Sequence, residues 1–397
     1  MKRILSLLLV LTLLVPVFSL AEEEDLMIDE IVEDVVIDED GNEVVVDEAT
    51  GEAFLISSLD QDKLESLESR FETDSDVDPD TLEINPNLPD HVINILLLGV
   101  DVGKDASPNR KLLSEQVHDI KHADVQIILS YNTKDGSIKL SSIARNAYVE
   151  IPGRKNKDII SYTYGHVPYV NGTAGKFENT PELSIRTVNH NFELNIQYYV
   201  AMNFYGVASV IEYLGGVDIN LTKAEARAIN AYLKRNKSKI SRNYDDKKGK
   251  RDPLKAEDGV QHLDGIQGLM YARLRSVDND RVRTSRTRHL LDCLLQNVVT
   301  KLKNRELDFL DLFSDLVQYP VTNMNAETMV SLASQVLRSG VMDKVGQVDT
   351  LVQEFRIPMD GTFQDTTVNG SSVTVFNLDE NKQALHEFIY GQYIPST

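Results

Sequence analysis

Cysteine is almost missing: Cys293 is the only one in 397 residues, so no disulfide can form within the chain. It falls in an apolar helical run, where its expected role is core packing and not that of a thiol nucleophile. No Cys/His cluster of zinc-site spacing occurs, and no internal repeat is found. Positive net charge is lacking too, since the chain sums to −21. That figure misleads if it is spread over the whole molecule. Residues 22–83 hold 25 acids against Lys63 and Arg70, a net of −23, while Lys2 and Arg3 add two positive charges. Residues 84–397 therefore sum to zero, and the acidity belongs to a leader and not to the domain behind it.

The start of the chain has the look of an export segment. Lys2 and Arg3 precede an apolar run from Ile4 to Leu20, and Ser19, Leu20 and Ala21 offer small residues at a signal-peptidase site. Residues 1–21 are read as a signal peptide, with an uncleaved membrane anchor as the alternative, because the run is barely long enough to span a bilayer. Residues 22–88 form the acidic spacer. Within it Glu33–Asp38 and Glu43–Asp47 flank Asp40, Gly41 and Asn42, a weak hairpin signal. A lone hairpin is marginal in water, so the expectation is a solvated spacer. Pro79, Pro86 and Pro89 mark the approach to a folded domain.

Alternation of strand and helix follows. Asn94–Val100 is a continuous apolar run suited to a strand buried on both faces. Val125–Tyr131 and Ser137–Ile143 read as strands joined by a turn at Thr133–Gly136. Pro181–Phe192 reads as a helix with proline in its first turn, Tyr198–Phe204 as a strand, and Tyr205–Leu214 as a helix ended by Gly215 and Gly216. Thr222 caps a helix to Lys237. Leu290, Leu291, Leu294, Val298 and Leu302 make a helical stripe. Ala326–Leu337 and Asn377–Phe388 carry helical patterns, and Ser372–Phe376 is strand-like. Such alternation predicts an α/β layered sheet.

One stretch concentrates charge of one sign. Between Tyr271 and Arg288 stand six arginines, Arg273, Arg275, Arg281, Arg283, Arg286 and Arg288, and Arg145 is the expected further cation of the same site. Arg273 and Arg275 point to one side of an extended segment. Arg283 and Arg286 share a face at a helix start. Paired guanidinium groups around a turn suit bidentate binding of phosphate oxygens; the alternative is a solvated basic surface. A second basic run, Lys234–Arg251, holds nine bases against Asp245 and Asp246. It reads as a solvated loop or as a landing surface for an anionic polymer or lipid headgroup.

Six ordered blocks give these residues a context. Asn94–Asp101, His122-Ala-Asp124, Ser142–Asn146, Leu214-Gly-Gly-Val-Asp218, His262–Tyr271, and Tyr271-x-Arg273-x-Arg275 followed by Asp280-x-x-Arg283-x-x-Arg286 together resemble the LytR-CpsA-Psr family over roughly residues 90–300. The resemblance implies a mixed central β-sheet sandwiched between helical layers, with the catalytic domain at 89–303 and residues 304–397 continuing the same fold. It implies transfer of a glycopolymer from a polyprenyl-pyrophosphate carrier to peptidoglycan. Asp101 and Asp124 would hold magnesium (Mg2+), with manganese (Mn2+) as the alternative. Arg145, Arg273, Arg275 and Arg283 would clamp the pyrophosphate, with Arg286 and Thr287 beside them. Asp280 would orient or deprotonate the acceptor hydroxyl, and an apolar interior would receive the lipid tail. Arg145 and Arg283 would share the catalytic work with Asp280. The implied place is the extracellular face of the cytoplasmic membrane, against the outer leaflet surface.

The chain also departs from the family. Asn146 stands where a carboxylate is usual, His122 where an arginine is frequent, Gly103 where an arginine often follows Asp101, and Thr287 in place of the usual glutamine. These leave open a non-catalytic binder of polyprenyl phosphate or cell-wall polymer. A regulator acting on nucleic acid is disfavoured, because an exported chain does not meet DNA.

Overall fold

The computed structural model describes residues 79–102, 120–165, 180–235, 251–274, 320–325 and 352–396, with short strands and single helical positions elsewhere. Residues 1–21, residues 236–250, and Arg275, Asp280, Arg283, Thr287 and Arg288 lie outside the described residues, as does the Asp101 side chain.

Three short strands fall in the acidic leader: β1 (Val36–Ile37), β2 (Glu43–Val46) and β3 (Ala53–Leu55). They pair antiparallel in that order, Val36 opposite Val44 and Val45 opposite Phe54. The leader thus extends the expected hairpin by a third strand.

The main body follows in chain order. β4 (Val92–Val102), β5 (Ile120–Asn132) and β6 (Ile138–Ile143) come first. Next are β7 (Tyr148–Val149) and β8 (Asp158–Ile159), then β9 (Tyr169–Val170) and β10 (Thr173–Ala174). After them stand α1 (Pro181–Phe192), β11 (Tyr198–Asn203) and α2 (Phe204–Tyr213). β12 (Val217–Leu221), α3 (Lys223–Arg235), β13 (Gly259–Leu263) and α4 (Gly265–Ala272) continue the chain. β14 (Val321–Thr322), β15 (Val352–Ile357), β16 (Phe363–Val368), β17 (Ser371–Phe376) and α5 (Leu378–Tyr390) complete it.

Six strands form the central sheet in the order β14-β11-β4-β5-β6-β15. β11 lies parallel to β4 and β15 parallel to β6, whereas β4, β5 and β6 pair antiparallel. The sheet is therefore mixed, and β4, β6, β11 and β15 all end at the edge where β5 begins.

Alternation along β4 decides which layer each side chain enters. Ile95 and Leu97 face one core with Ile127, Met202, Ile211, Ile266 and Leu290. Leu96, Leu98 and Val100 face the other with Ile128, Val188, Phe192, Tyr199 and Leu385. Both faces of β4 are covered, as its unbroken apolar run requires. α2, α3 and α4 lie on the first side, and α1 and α5 on the second. The packed body reaches back to Leu82, 0% exposed, which falls within the stretch 22–88 expected as spacer.

Candidate functional site

The strand-end edge of the sheet gathers the first candidate residues. β4 and β5 pair in register up to Gly99 opposite Val125, and the register then slips so that Val100 faces Ala123. Asp124 is the extra residue of this bulge. Bulges re-aim a side chain and bend the strand, and they recur beside functional sites. One step further on, Asp101 pairs with His122 across the two strands, so the backbone of β4 and β5 brings Asp101 and Asp124 to the same end of the sheet.

Arg145 arrives at that edge from β6. Beyond the strand, Ala144 N–H donates to the Ile357 carbonyl of β15, and Ala147 N–H closes a turn onto Ala144. The Arg145 carbonyl accepts from Ser161 N–H at 3.3 Å, which fixes the backbone while the side chain stays 57% exposed. Its Nη1 lies 3.0 Å from Asp124 Oδ1. That oxygen is shut off from solvent and receives no aligned hydrogen bond from the described groups. Proximity without alignment leaves a buried carboxylate oxygen under-satisfied, which is costly unless a further partner joins. His122 sets its ring 5.1 Å from that of Tyr162, beside the same turn.

A magnesium ion usually keeps several waters and takes one or two carboxylates with substrate phosphates. Asp124 on its bulge fits that description through its under-satisfied oxygen. Among the described residues there is no group of three or more metal-binding side chains.

The arginine stretch begins at the end of α4. Asp264 caps this helix: its side chain accepts Gln267 N–H at 2.9 Å, and the Gln267 side chain accepts Asp264 N–H at 3.0 Å. This capping box satisfies two orphan donors. Tyr271 is buried, and burial first, then the nearby Glu225 charge, pushes its phenol well above the ordinary value. Arg273 follows as the exposed C-cap of the helix.

Arg286 departs from the expected clamp. It is 3% exposed, its Nε donates to Glu225 Oε1 at 2.5 Å, and its Nη1 donates to the Leu274 carbonyl at 3.4 Å. The guanidinium is directed inward because a buried carboxylate and a chain carbonyl wait for it there. Glu225 itself escaped the sequence reading. The signal was available in Thr222-x-x-Glu225, a capping-box pattern in which Thr222 alone was read as a cap. Glu225 Oε2 accepts from both Thr222 N–H, at 2.8 Å, and Thr222 Oγ1, at 2.9 Å. Burial opposes its ionisation, but the Thr222 backbone bond and the Arg286 guanidinium outweigh it and hold the carboxyl below its ordinary value. Cys293 is partly buried against the same core, as its apolar run predicts.

The LytR_cpsA_psr family model matches residues 57–387. The chain belongs to the LytR-CpsA-Psr family. All six motif blocks lie inside the matched span. Over 288 residues it is 28% identical to the polyisoprenyl-teichoic acid–peptidoglycan teichoic acid transferase TagU of Oceanobacillus iheyensis, covering 71% of this chain and 75% of that protein. Over 225 residues it is 26% identical to the corresponding transferase TagT of Bacillus subtilis, covering 56% of each. Among solved structures, TagT bound to LIIa-WTA aligns with 76% of this chain and 91% of that one, at 21% identity and a TM-score of 0.48. The LytR-CpsA-Psr match therefore rests on the family model, and the mixed α/β/α layering agrees with it.

Proposed function

We propose that this protein transfers a glycopolymer from a polyprenyl-pyrophosphate carrier to peptidoglycan in the cell envelope. The observation that carries the reading is the Asp124–Arg145 pair at the strand-end edge, in a chain matched to the family over residues 57–387. The named relatives TagU and TagT are teichoic acid–peptidoglycan transferases, so a polyprenyl-linked anionic polymer and peptidoglycan are the substrate classes. Export through residues 1–21 would deliver the enzyme to the outer face of the membrane.

The chemistry required is displacement at phosphorus. The acceptor hydroxyl oxygen forms a bond to the polymer's proximal phosphorus, the bridging P–O bond of the pyrophosphate breaks, and polyprenyl phosphate departs. No protein nucleophile is needed; alignment and charge neutralisation supply the rate. Arg145, exposed and held by its backbone, reaches phosphate oxygens, with Arg273, Arg275 and Arg283 as its partners. Asp280 takes the proton of the acceptor hydroxyl. Asp101 and Asp124 would hold Mg2+, which neutralises charge on the phosphates when bound.

The Arg145–Asp124 pair is consistent with both assignments. An incoming anion would draw the guanidinium, and a cation would complete the partners of the carboxylate. At this exposure the pair itself contributes little stability. Asp124→Asn keeps the shape and removes the charge. In an assay with lipid-linked polymer, peptidoglycan and a magnesium series, turnover should fall by at least about 10-fold while the melting temperature is kept. Normal turnover in that variant would overturn the metal assignment. Tight lipid binding without turnover in the wild-type protein would instead favour the binder that Asn146 and Thr287 leave open.

A further inference from the structure

We propose that Glu225 and Arg286 are positioning residues of the pyrophosphate site, acting through Arg273, and that Arg286 is not itself a ligand of the substrate. The proposal rests on the functional reading above for the identity of the ligand, a polyprenyl pyrophosphate, but its own ground is the buried network.

Four elements meet at this pair. Thr222 follows β12 directly and gives its N–H and hydroxyl to Glu225 Oε2. Glu225 sits in the first turn of α3 and presents Oε1 to Arg286 Nε. Arg286 is a helical position, as are Leu290 and Leu294, which lie in the core. Its Nη1 donates to the Leu274 carbonyl, immediately after Arg273. The C-cap that carries Arg273 is thereby tied to the start of α3 through one guanidinium. Arg273 has its own backbone held by bonds from its N–H to Leu269 and Met270, so its direction follows the end of α4. A guanidinium suits the junction because its planar fork meets a carboxylate and a carbonyl at once, whereas an ammonium is a single point.

Burial excludes the simpler role. Glu225 is 8% and Arg286 3% exposed, so an incoming anion does not reach this guanidinium, unlike the exposed one of Arg145. The two readings differ in sign at Glu225. If the site responded only to charge, removing a negative residue would strengthen binding of pyrophosphate. If Glu225 holds the junction in place, removing it weakens binding.

The test is calorimetric titration of the full chain with farnesyl pyrophosphate, a soluble probe of the carrier class. Wild type is compared with Glu225→Gln, Arg286→Met, Arg273→Ala, the pair Glu225→Gln/Arg286→Met, and that pair combined with Arg273→Ala. Circular dichroism melting accompanies each. Glu225→Gln should bind about 10-fold more weakly, a loss of the size expected for one misplaced charge-assisted bond. Arg273→Ala should cost about 10-fold in the wild-type background and less than about twofold in the paired background, because coupled residues are non-additive. The paired variant guards against misfolding, since removing both buried charges together costs far less than removing one. Unchanged or tighter binding by Glu225→Gln overturns the proposal. So does an undiminished Arg273→Ala effect in the paired background. Weak binding by Arg286→Met together with normal binding by Glu225→Gln makes Arg286 a direct ligand and overturns it as well. If wild type itself does not take up the probe, the functional reading falls and this proposal with it. If Arg273→Ala alone weakens binding, the functional reading stands whatever the pair does.

Discussion

At the scale of single residues, side chains of one type are put to opposite uses by burial. Arg145 and Arg286 are both paired with a carboxylate, yet Arg145 stands 57% exposed and Arg286 lies 3% exposed. Motif spacing places both in one pattern, and only packing separates an exposed cation from a buried one. Histidine shows the same dependence. His386 is fully buried on α5, its Nε2 donates to the Phe192 carbonyl at 2.8 Å, and its Nδ1 accepts Ile394 N–H at 3.2 Å. The acceptor role requires a neutral ring. Burial lowers its pKa below the ordinary 6.5, outweighing the Phe192 bond. The folded state therefore binds protons less readily than the unfolded chain. The contribution is complete above the unfolded value and is lost as pH falls from about 6.5 toward the lower folded value. Urea unfolding midpoints should drop between pH 7 and pH 5 in the wild-type protein, and drop less in His386→Gln. The depressed carboxyls Glu83, Glu193 and Glu225 lose their share only below the ordinary 4.5, in a separate window. Equal slopes for both proteins between pH 7 and pH 5 would show that His386 is not the group titrating.

At the scale of elements, close approach matters as much as pattern. α4 begins on Gly265, where an added Cβ would stand 2.0 Å from the Ala208 carbonyl oxygen of α2. The obstacle is backbone, so the two helices would have to separate. Gly265→Ala is expected to destabilise by about 1–3 kcal/mol, the usual cost of overpacking, visible as a lowered denaturant midpoint. A midpoint at or above wild type would mean that α2 and α4 can spread at no cost. Elements of this kind were readable where the signal is local. α1 spans Pro181–Phe192 as the sequence predicts, with Thr180 capping Leu183 N–H at 3.2 Å, because proline, cap and period coincide. Val352–Ile357 was not readable. Its mixed polarity suits an edge strand, and its partner β6 lies more than 200 residues earlier, at Val352 opposite Ile138. β12 is a different case: its alternation, with Val217, Ile219 and Leu221 buried between exposed Asp218 and Asn220, is a legible strand signal, whereas its partner β13 carries Val260 71% open to solvent. In the site, Asp124 and Arg145 were legible as residues, whereas the bulge that orients one against the other is a property of strand pairing that no single segment encodes.

At the scale of the whole molecule, the end of the described chain is tied to the beginning of the packed body. Asn85, 1% exposed, donates from Nδ2 to the Ile394 carbonyl at 2.9 Å and to the Glu193 carbonyl at 3.0 Å. Asn87 Nδ2 donates to the Pro395 carbonyl at 2.9 Å. Glu193 Oε2 accepts from Tyr393 Oη and from Ser396 N–H, both at 3.0 Å, and its Oε1 accepts from Lys382 Nζ at 2.7 Å. Burial resists the charge on Glu193, but these donors prevail and lower its pKa. Residues 393–396 therefore supply partners to Asn85, Asn87, Glu193 and His386 together. Deleting them strands buried groups that were satisfied, and each stranded group costs about 1–3 kcal/mol where water cannot enter. Asn87 is exposed and recovers its bond from solvent, so Asn85 and His386 should dominate the loss. A chain ending at Tyr390 is expected to lose about 2–5 kcal/mol, which in a folded body of this size lowers the melting temperature by at least about 4 °C. Residues 391–397 carry no charged side chain, so the effect should persist at high salt, where long-range repulsion is screened. Melting curves of the full and shortened chains at low and high salt decide the matter. A deficit that vanishes in salt would assign the loss to repulsion from the leader, and a constant deficit assigns it to the hydrogen bonds that join Asn85 and His386 to Ile394.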